Sequence, residues 1–381
     1  MKFLRNTWYV AAWDEEVTRE LFSREILGES ILMYRKEDGT AVAMSNRCPH
    51  RFAPLDKGKL IGDVVECPYH GLQFDCTGQC VKNPHPHGNG PIPPRAKLAQ
   101  YPLLEKWGML WIWMGHKAPD ESLLPDYGWL DHPDKFREIR DVCTVNAYYE
   151  LIVDNVLDLT HLPYLHPDGL GVDKKDLEVE NVEDVQVGNT FWCKRWSDEI
   201  VPSPDFVRFN PVLDEFKCDK TNYCRWDAPS HVAILPTYWK TGTDKEHLTL
   251  LNIATMLTPA NEHNTWQFWS LARNFKLDSD ALDVAMRQAA RVGLEGEDID
   301  IIEAQYRNMG TSDISSLKLA SLPGDITPTR VRKTLAKMIE DEQLELTGQA
   351  GNVSASGHKV IPVVEVPGTV NAPDQSQEIP S

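Results

Sequence analysis

Two short stretches carry residue types that bind soft and borderline metals. Residues 47–51 read Arg-Cys-Pro-His-Arg, and residues 67–71 read Cys-Pro-Tyr-His-Gly. Cys48, His50, Cys67 and His70 therefore form a C-x-H and a C-x-x-H pair with sixteen residues between them. Two thiolates and two imidazoles can hold a tetrahedral zinc ion. They are also the set for a [2Fe–2S] centre in which one iron takes two Cys and the other two His. In the second case each pair sends one ligand to each iron, so two loop tips must face one another. Pro49 and Pro68 stiffen those tips, and Gly71 permits a turn after the last ligand. The remaining cysteines (76, 80, 143, 193, 218 and 224) show no second ligand set and read as core or surface thiols. His85 and His87 lie in a Pro-rich loop and read as solvated.

A second group lies at residues 154–166, Asp-Asn-Val-Leu-Asp-Leu-Thr-His-Leu-Pro-Tyr-Leu-His. On a helix Asp154, Asp158 and His161 share one stripe. A regular helix places His166 about 140° from His161, so the two cannot chelate one metal unless the helix breaks. Pro163 is the expected break. Two His supply two-thirds of a 2-His-1-carboxylate face, which holds Fe(II) and leaves positions open for O2 and substrate. Asp158 is placed to orient a ligand imidazole. The third ligand must be an acid from elsewhere, and residues 296–305 offer Glu297, Asp298, Asp300 and Glu303. Spacing does not choose among them, and acids at a helix start also serve the macrodipole.

The elements that must position these groups follow from the pattern. Residues 1–115 hold short alternating stretches (30–34 and 110–113 among them) separated by Gly- and Pro-containing turns, as in an all-β domain. Residues 83–94 hold five prolines and two glycines and form a loop. Residues 116–135 are a Pro- and Asp-rich connection. Residues 148–161 are helical, and 180–275 return to strands at 191–193, 248–257 and 266–272. Residues 279–309 are helical with an interruption around Gly293 and Gly296. Thr327-Pro328 opens an amphipathic helix with Val331, Leu335, Met338 and Ile339 on one face. The expected organisation is an all-β domain over residues 1–118, an α+β domain over 119–347 and an extended C-terminal segment over 348–381.

A length of 381 residues suits two domains. The formal charge of −18 excludes a phosphate-binding stripe, so nucleic acid is not the partner. The acidic surface serves solubility or a basic protein partner. No apolar run reaches the roughly 18–20 residues of a membrane span. The N-terminus reads as a strand without a cleavage site, so the expected location is cytoplasmic, where eight cysteines serve as ligands or core rather than disulfides.

These landmarks resemble the Rieske non-haem iron oxygenases, specifically the oxygenase components of the dicamba and vanillate O-demethylase group. The resemblance runs from Asn6 to about residue 345. It rests on Cys48-Pro-His-Arg-Phe-Ala-Pro-Leu, Cys67-Pro-Tyr-His-Gly-Leu-Gln-Phe-Asp, Asp154-Asn-Val-Leu-Asp-Leu-Thr-His, Ala272-Arg-Asn-Phe and Glu297-Asp298. It implies a Rieske [2Fe–2S] domain followed by a helix-grip catalytic domain, with an antiparallel sheet and covering helices. It further implies that Asp298 is the iron carboxylate beside His161 and His166, and that Asn155 lies near the iron. The subunits would form a head-to-tail homotrimer in which Asp158 links His70 of one subunit to His161 of the next. The strands over 225–255 depart from the polar pattern with which dicamba-type enzymes hold substrate.

The chain carries no Rossmann or flavin fingerprint, so a separate NAD(P)H-dependent reductase, directly or through a ferredoxin, would supply electrons. The expected cofactors are one [2Fe–2S] cluster and one mononuclear Fe(II). The expected reaction puts one atom of O2 into a C–H bond of an aromatic methoxy or methyl group. N-demethylation and ring dihydroxylation are alternatives on the same machinery. A zinc-stabilised ligand-binding protein is the alternative without catalysis.

Overall fold

The computed structural model describes residues 2–166, 174 and 180–348. The N-terminal part is all β, as its alternating pattern predicts. Strand β1 (Trp8–Trp13) pairs with β10 (Met109–Trp113), which pairs with β9 (Leu103–Lys106). A second sheet joins β2 (Phe22–Ile26), β3 (Glu29–Arg35) and β4 (Ala41–Ser45). A third joins four strands of two or three residues: β5 (Lys59–Ile61), β6 (Val64–Glu66), β7 (Gln73–Phe74) and β8 (Cys80–Lys82). Two residues are too few to show a period, and the sequence pattern does not separate these last strands from loop.

The C-terminal part is built on one antiparallel sheet of seven strands in the order β11-β17-β16-β15-β14-β13-β12. Its strands are β11 (Arg137–Val145), β12 (Asn181–Val187), β13 (Thr190–Ile200), β14 (Cys218–Asp227), β15 (His231–Lys240), β16 (Thr249–Pro259) and β17 (Thr265–Arg273). The inner strands β16 and β17 are covered on both faces and are largely apolar, β13 and β14 mix polar with apolar residues, and the edge strand β12 is mostly exposed. On one face Ala233, Leu235, Ala254, Met256, Phe268 and Ala272 pack against Trp8, Val10, Trp111 and Trp113 of the N-terminal sheet. The other face packs against helices. Phe191, Cys193, Cys224, Trp226 and Val232 meet helix α1 (Tyr149–Leu157) and helix α6 (Ile326–Leu346). Ile139, Leu251 and Trp269 meet helix α4 (Asp280–Ala290). Between these lie the short helices α2 (Leu162–Leu165) and α3 (Pro204–Phe209), and α5 (Ile299–Met309).

Two sequence expectations need correction. No break falls at Pro163: the chain stays helical from His161 (φ −74°, ψ −22°) through α2, changing only from 3-10 to α winding, and the break lies upstream of both histidines, at Asp158. Helix α1 stops at Leu157, and Asp158 takes extended angles (φ −105°, ψ 92°) and caps a 3-10 turn, Leu159–His161, by accepting the Thr160 N–H at 3.0 Å. Pro163 sits in the first turn of α2, where a missing N–H costs nothing. The expected interruption at Gly293 and Gly296 is not a break. The chain stays helical and is wound as a π-helix over Arg291–Asp298. Such insertions are frequent at functional sites because they shift the phase of the residues that follow.

Helix α6 ties the two parts together. Its Glu342, 5% exposed, accepts the backbone N–H groups of Arg5 and Asn6 at 2.8 and 2.6 Å. Its Arg332 pairs with Asp154 of α1. No helix of the described residues is long and apolar enough to cross a membrane. Beyond Gly348 the expected C-terminal segment lies outside the described residues.

Candidate functional site

The two loops that carry the Cys-His pairs share one backbone geometry. In the first, the Cys48 N–H donates to the Ala53 carbonyl at 3.0 Å, and the Cys48 carbonyl accepts the Phe52 N–H at 2.8 Å. In the second, the Cys67 N–H donates to the Leu72 carbonyl at 2.8 Å, and the Cys67 carbonyl accepts the Gly71 N–H at 3.1 Å. The residue four after each Cys is left-handed, Phe52 at φ 58° and Gly71 at φ 71°. The same turn thus accommodates a His two places after the Cys in one loop and three places after it in the other.

Asp56 props the first loop, accepting from Asn46 at 2.9 Å and from Ser23 at 3.1 Å. Cys48 and Cys67 lie in the domain core at 1% and 2% exposure. The His50 and His70 rings meet edge to face at 4.5 Å between centroids, toward the surface. Burial pushes the Cys48 thiol up to about 11, with the neighbouring Cys67 adding to it. Such a thiol ionises at neutral pH only when a metal takes the proton's place. The donor set is two buried sulfurs behind two outward imidazoles, which fits a centre with one sulfur-held and one histidine-held iron.

The second group converges from three elements. His161 ends the 3-10 turn, His166 follows α2, and Asp298 ends the π-helical stretch. One ligand atom from each lies within 4.8 Å of the others. Asp298 Oδ1 is 3.4 Å from His161 Nε2 and 3.2 Å from His166 Nε2. The other ring nitrogens are already engaged. His161 Nδ1–H donates to the Asp158 backbone carbonyl at 2.7 Å, and His166 Nδ1–H donates to Glu297 Oε2 at 2.6 Å.

A neutral imidazole with Nδ1–H so occupied presents a lone pair at Nε2. Two such lone pairs and a carboxylate oxygen face one point, an arrangement that a cation satisfies and that fits a facial Fe(II) set. When protons and not a cation occupy the Nε2 positions, burial raises the Asp298 carboxyl, but hydrogen bonds from His161, His166 and Asn155 outweigh it and hold the group at about 2. Burial lowers the His166 imidazole, and Asp298 and Glu297 more than reverse this.

The sequence-derived candidates fall into place as follows. Asn155 Nδ2 donates to Asp298 Oδ1 at 3.0 Å. Of the four acids left open by spacing, Asp298 faces the two histidines. Glu297 holds His166, Glu303 accepts from the Asn146 backbone and side chain at 2.9 Å, and Asp300 is exposed. Asp158 orients His161, but through its carbonyl and not its carboxylate as expected. Its carboxylate is left for another partner. Glu297 was among the candidate acids, but its role as the acceptor that holds His166 was not read from the sequence. Its only signal was adjacency to Asp298.

The family model of the vanillate O-demethylase oxygenase C-terminal domain matches residues 145–341, and that of the Rieske [2Fe-2S] domain matches residues 7–102. The chain belongs to the Rieske non-haem iron oxygenases. It is the oxygenase component of a Rieske system, with a Rieske cluster and a non-haem iron as cofactors.

Among its relatives, the oxygenase component of chloroacetanilide N-alkylformylase from Rhizorhabdus wittichii is 34% identical over 89% of this chain and 97% of that protein. The oxygenase component of dicamba O-demethylase from Stenotrophomonas maltophilia is 33% identical over 91% and 99%. The vanillate O-demethylase oxygenase subunit of a Pseudomonas is 30% identical over 81% and 87%. The crystal structure of dicamba monooxygenase bound to 3,6-dichlorosalicylic acid superposes with a TM-score of 0.83 at 32% identity, covering 91% of this chain and 99% of that one.

Proposed function

We propose that this oxygenase component removes the methyl group of an aromatic methoxy substrate, or hydroxylates an aromatic methyl group. The observation that carries this reading is the convergence of His161, His166 and Asp298 in a chain that also holds the twin Cys-His loops. Two relatives named as O-demethylases support the methoxy reading. For a methoxy substrate the balance is ArOCH3 + O2 + NAD(P)H + H+ → ArOH + HCHO + H2O + NAD(P)+. The hydroxylated methoxy carbon collapses to phenol and formaldehyde.

When bound, a [2Fe–2S] cluster on Cys48, His50, Cys67 and His70 supplies single electrons, and one Fe(II) on His161, His166 and Asp298 activates O2. The protein's own groups do the rest. Glu297 and the Asp158 carbonyl fix both imidazoles with Nε2 inward. Asn155 holds the Asp298 carboxylate to one oxygen. Asp158 links the two centres in a homotrimer: its carbonyl holds His161 and its carboxylate reaches His70 of the partner subunit. A separate NAD(P)H-dependent reductase, directly or through a ferredoxin, feeds the cluster domain over residues 1–118. The catalytic domain spans 119–347, with 348–381 an appendage, in a cytoplasmic protein.

The test is turnover of a panel of methoxyaromatic and methylaromatic acids with a surrogate reductase, with formaldehyde assayed against hydroxymethyl product. Formaldehyde from a methoxyaromatic establishes demethylation. Its absence with every methoxyaromatic refutes it.

A further inference from the structure

The Asp158 carboxylate is held by groups that no ligand motif contains. Oδ1 accepts the Thr160 N–H at 3.0 Å. The Arg195 guanidinium lies 3.9 Å from the same oxygen, and Arg195, 5% exposed, is itself anchored on Glu180 at 3.0 Å. Gly324 closes the site. A Cβ built on it would find as its three nearest atoms Asp158 Oδ1 at 3.0 Å, Oδ2 at 3.1 Å and Cγ at 3.2 Å.

Gly324 is not left-handed, so its backbone does not require glycine. It lies in a 3-10 turn, Pro323–Asp325, that is tied by Asp325 accepting the Leu322 N–H at 2.6 Å and leads directly into α6. Thr327 and Pro328, buried just beyond, fix that turn against the fold. The absence of a side chain at 324 therefore serves the neighbouring carboxylate and not the turn.

We propose that Gly324, with Arg195, is a positioning residue for electron transfer: together they set where the Asp158 carboxylate stands between the two iron centres. The proposal rests on the reading that Asp158 links the cluster of one subunit to the iron of the next. Thr160 fixes one oxygen from its own turn, Arg195 draws the carboxylate toward the sheet, and Gly324 provides the space it occupies. A methyl at 324 pushes the carboxylate by a few tenths of an ångström, and an isopropyl group pushes it further. Neither touches an iron ligand.

The experiment uses the full-length holoenzyme with both iron centres loaded, as wild type, Gly324→Ala, Gly324→Val and Asp158→Asn. Four properties are read: iron and sulfide content, oligomeric state, the EPR spectrum of the reduced cluster, and the rate of cluster oxidation in a single turnover with substrate and O2. The expected result is a graded loss of cluster oxidation rate, roughly threefold for Gly324→Ala and up to about a hundredfold for Gly324→Val. KM, metal content and assembly stay unchanged, and the EPR spectrum shifts as the cluster His loses its partner. Wild-type cluster oxidation in Gly324→Val overturns the proposal. So does loss of iron or of assembly in Gly324→Ala, which would make the residue structural. Wild-type oxidation in Asp158→Asn overturns it together with the reading beneath it. A slow Asp158→Asn beside a fast Gly324→Val removes the positioning role alone.

Discussion

Removing the Glu297 carboxylate weakens the mononuclear iron site without removing a ligand. Glu297 accepts the His166 Nδ1–H at 2.6 Å, and the His166 side chain is 1% exposed. The Glu297 side chain is 33% exposed, so water partly replaces the lost acceptor, and Glu297→Ala costs toward the lower end of about 1–3 kcal/mol. The ring is also freed to rotate and its Nε2 becomes less basic. Loss of such an outer partner lowers metal affinity about 10–100-fold, or roughly 1.4–2.7 kcal/mol. Glu297→Gln keeps an acceptor oxygen without the charge and falls between the two. The assay strips the mononuclear iron and titrates Fe(II) back against a chromogenic chelator, with the visible absorption of the cluster as internal control. Affinity equal to wild type in Glu297→Ala refutes the claim that this hydrogen bond orients a ligand. Loss of the cluster band in the same variant refutes the claim that its effect is local.

Asn155→Ala removes the donor to Asp298, and kcat falls about tenfold with the protein still folded, measured by turnover and by melting. Burial first, with Asp154 beside it, raises the Glu150 carboxyl to about 7. Burial raises Asp154 to about 6 despite Arg332. Both acids are easier to protonate in the fold than in the unfolded chain. Their contribution is therefore fully present below about pH 4 and is lost as pH rises through 6 to 7. The urea midpoint of Glu150→Gln accordingly falls less between roughly pH 5 and pH 8 than that of wild type. Arg332→Met leaves Asp154 buried without its cation, costing about 3 kcal/mol at high pH and less at low pH, where Asp154 takes up a proton. Chemical denaturation at two pH values checks this.

What could be read from the sequence depended on how local the determinants were. Cys48, His50, Cys67 and His70 declared themselves because both pairs are short and chemically rare. The alternating stretches of β3, β10, β16 and β17 declared their strands because one or both faces are buried. His161 and His166 were visible as a pair, but the helix break expected between them lies upstream of both. Pro163 is the residue that forbids an interior helix, whereas the cap actually forms at Asp158, a residue with the side chain to make it. Asp298 came from family resemblance because a π-helical stretch changes the phase by which spacing would have chosen it. Glu297, Arg195 and Gly324 act on partners 131, 37 and 166 positions away in the chain, and local patterning carries no trace of such contacts.

The most direct test of the two-centre account is iron and acid-labile sulfide analysis of the wild type and of Asp298→Ala. The wild type should hold about three irons and two sulfides per chain. Asp298→Ala should lose one iron, keep both sulfides and retain the visible band of the cluster. Zinc without sulfide in the wild type, or a full complement of iron in Asp298→Ala, would contradict it.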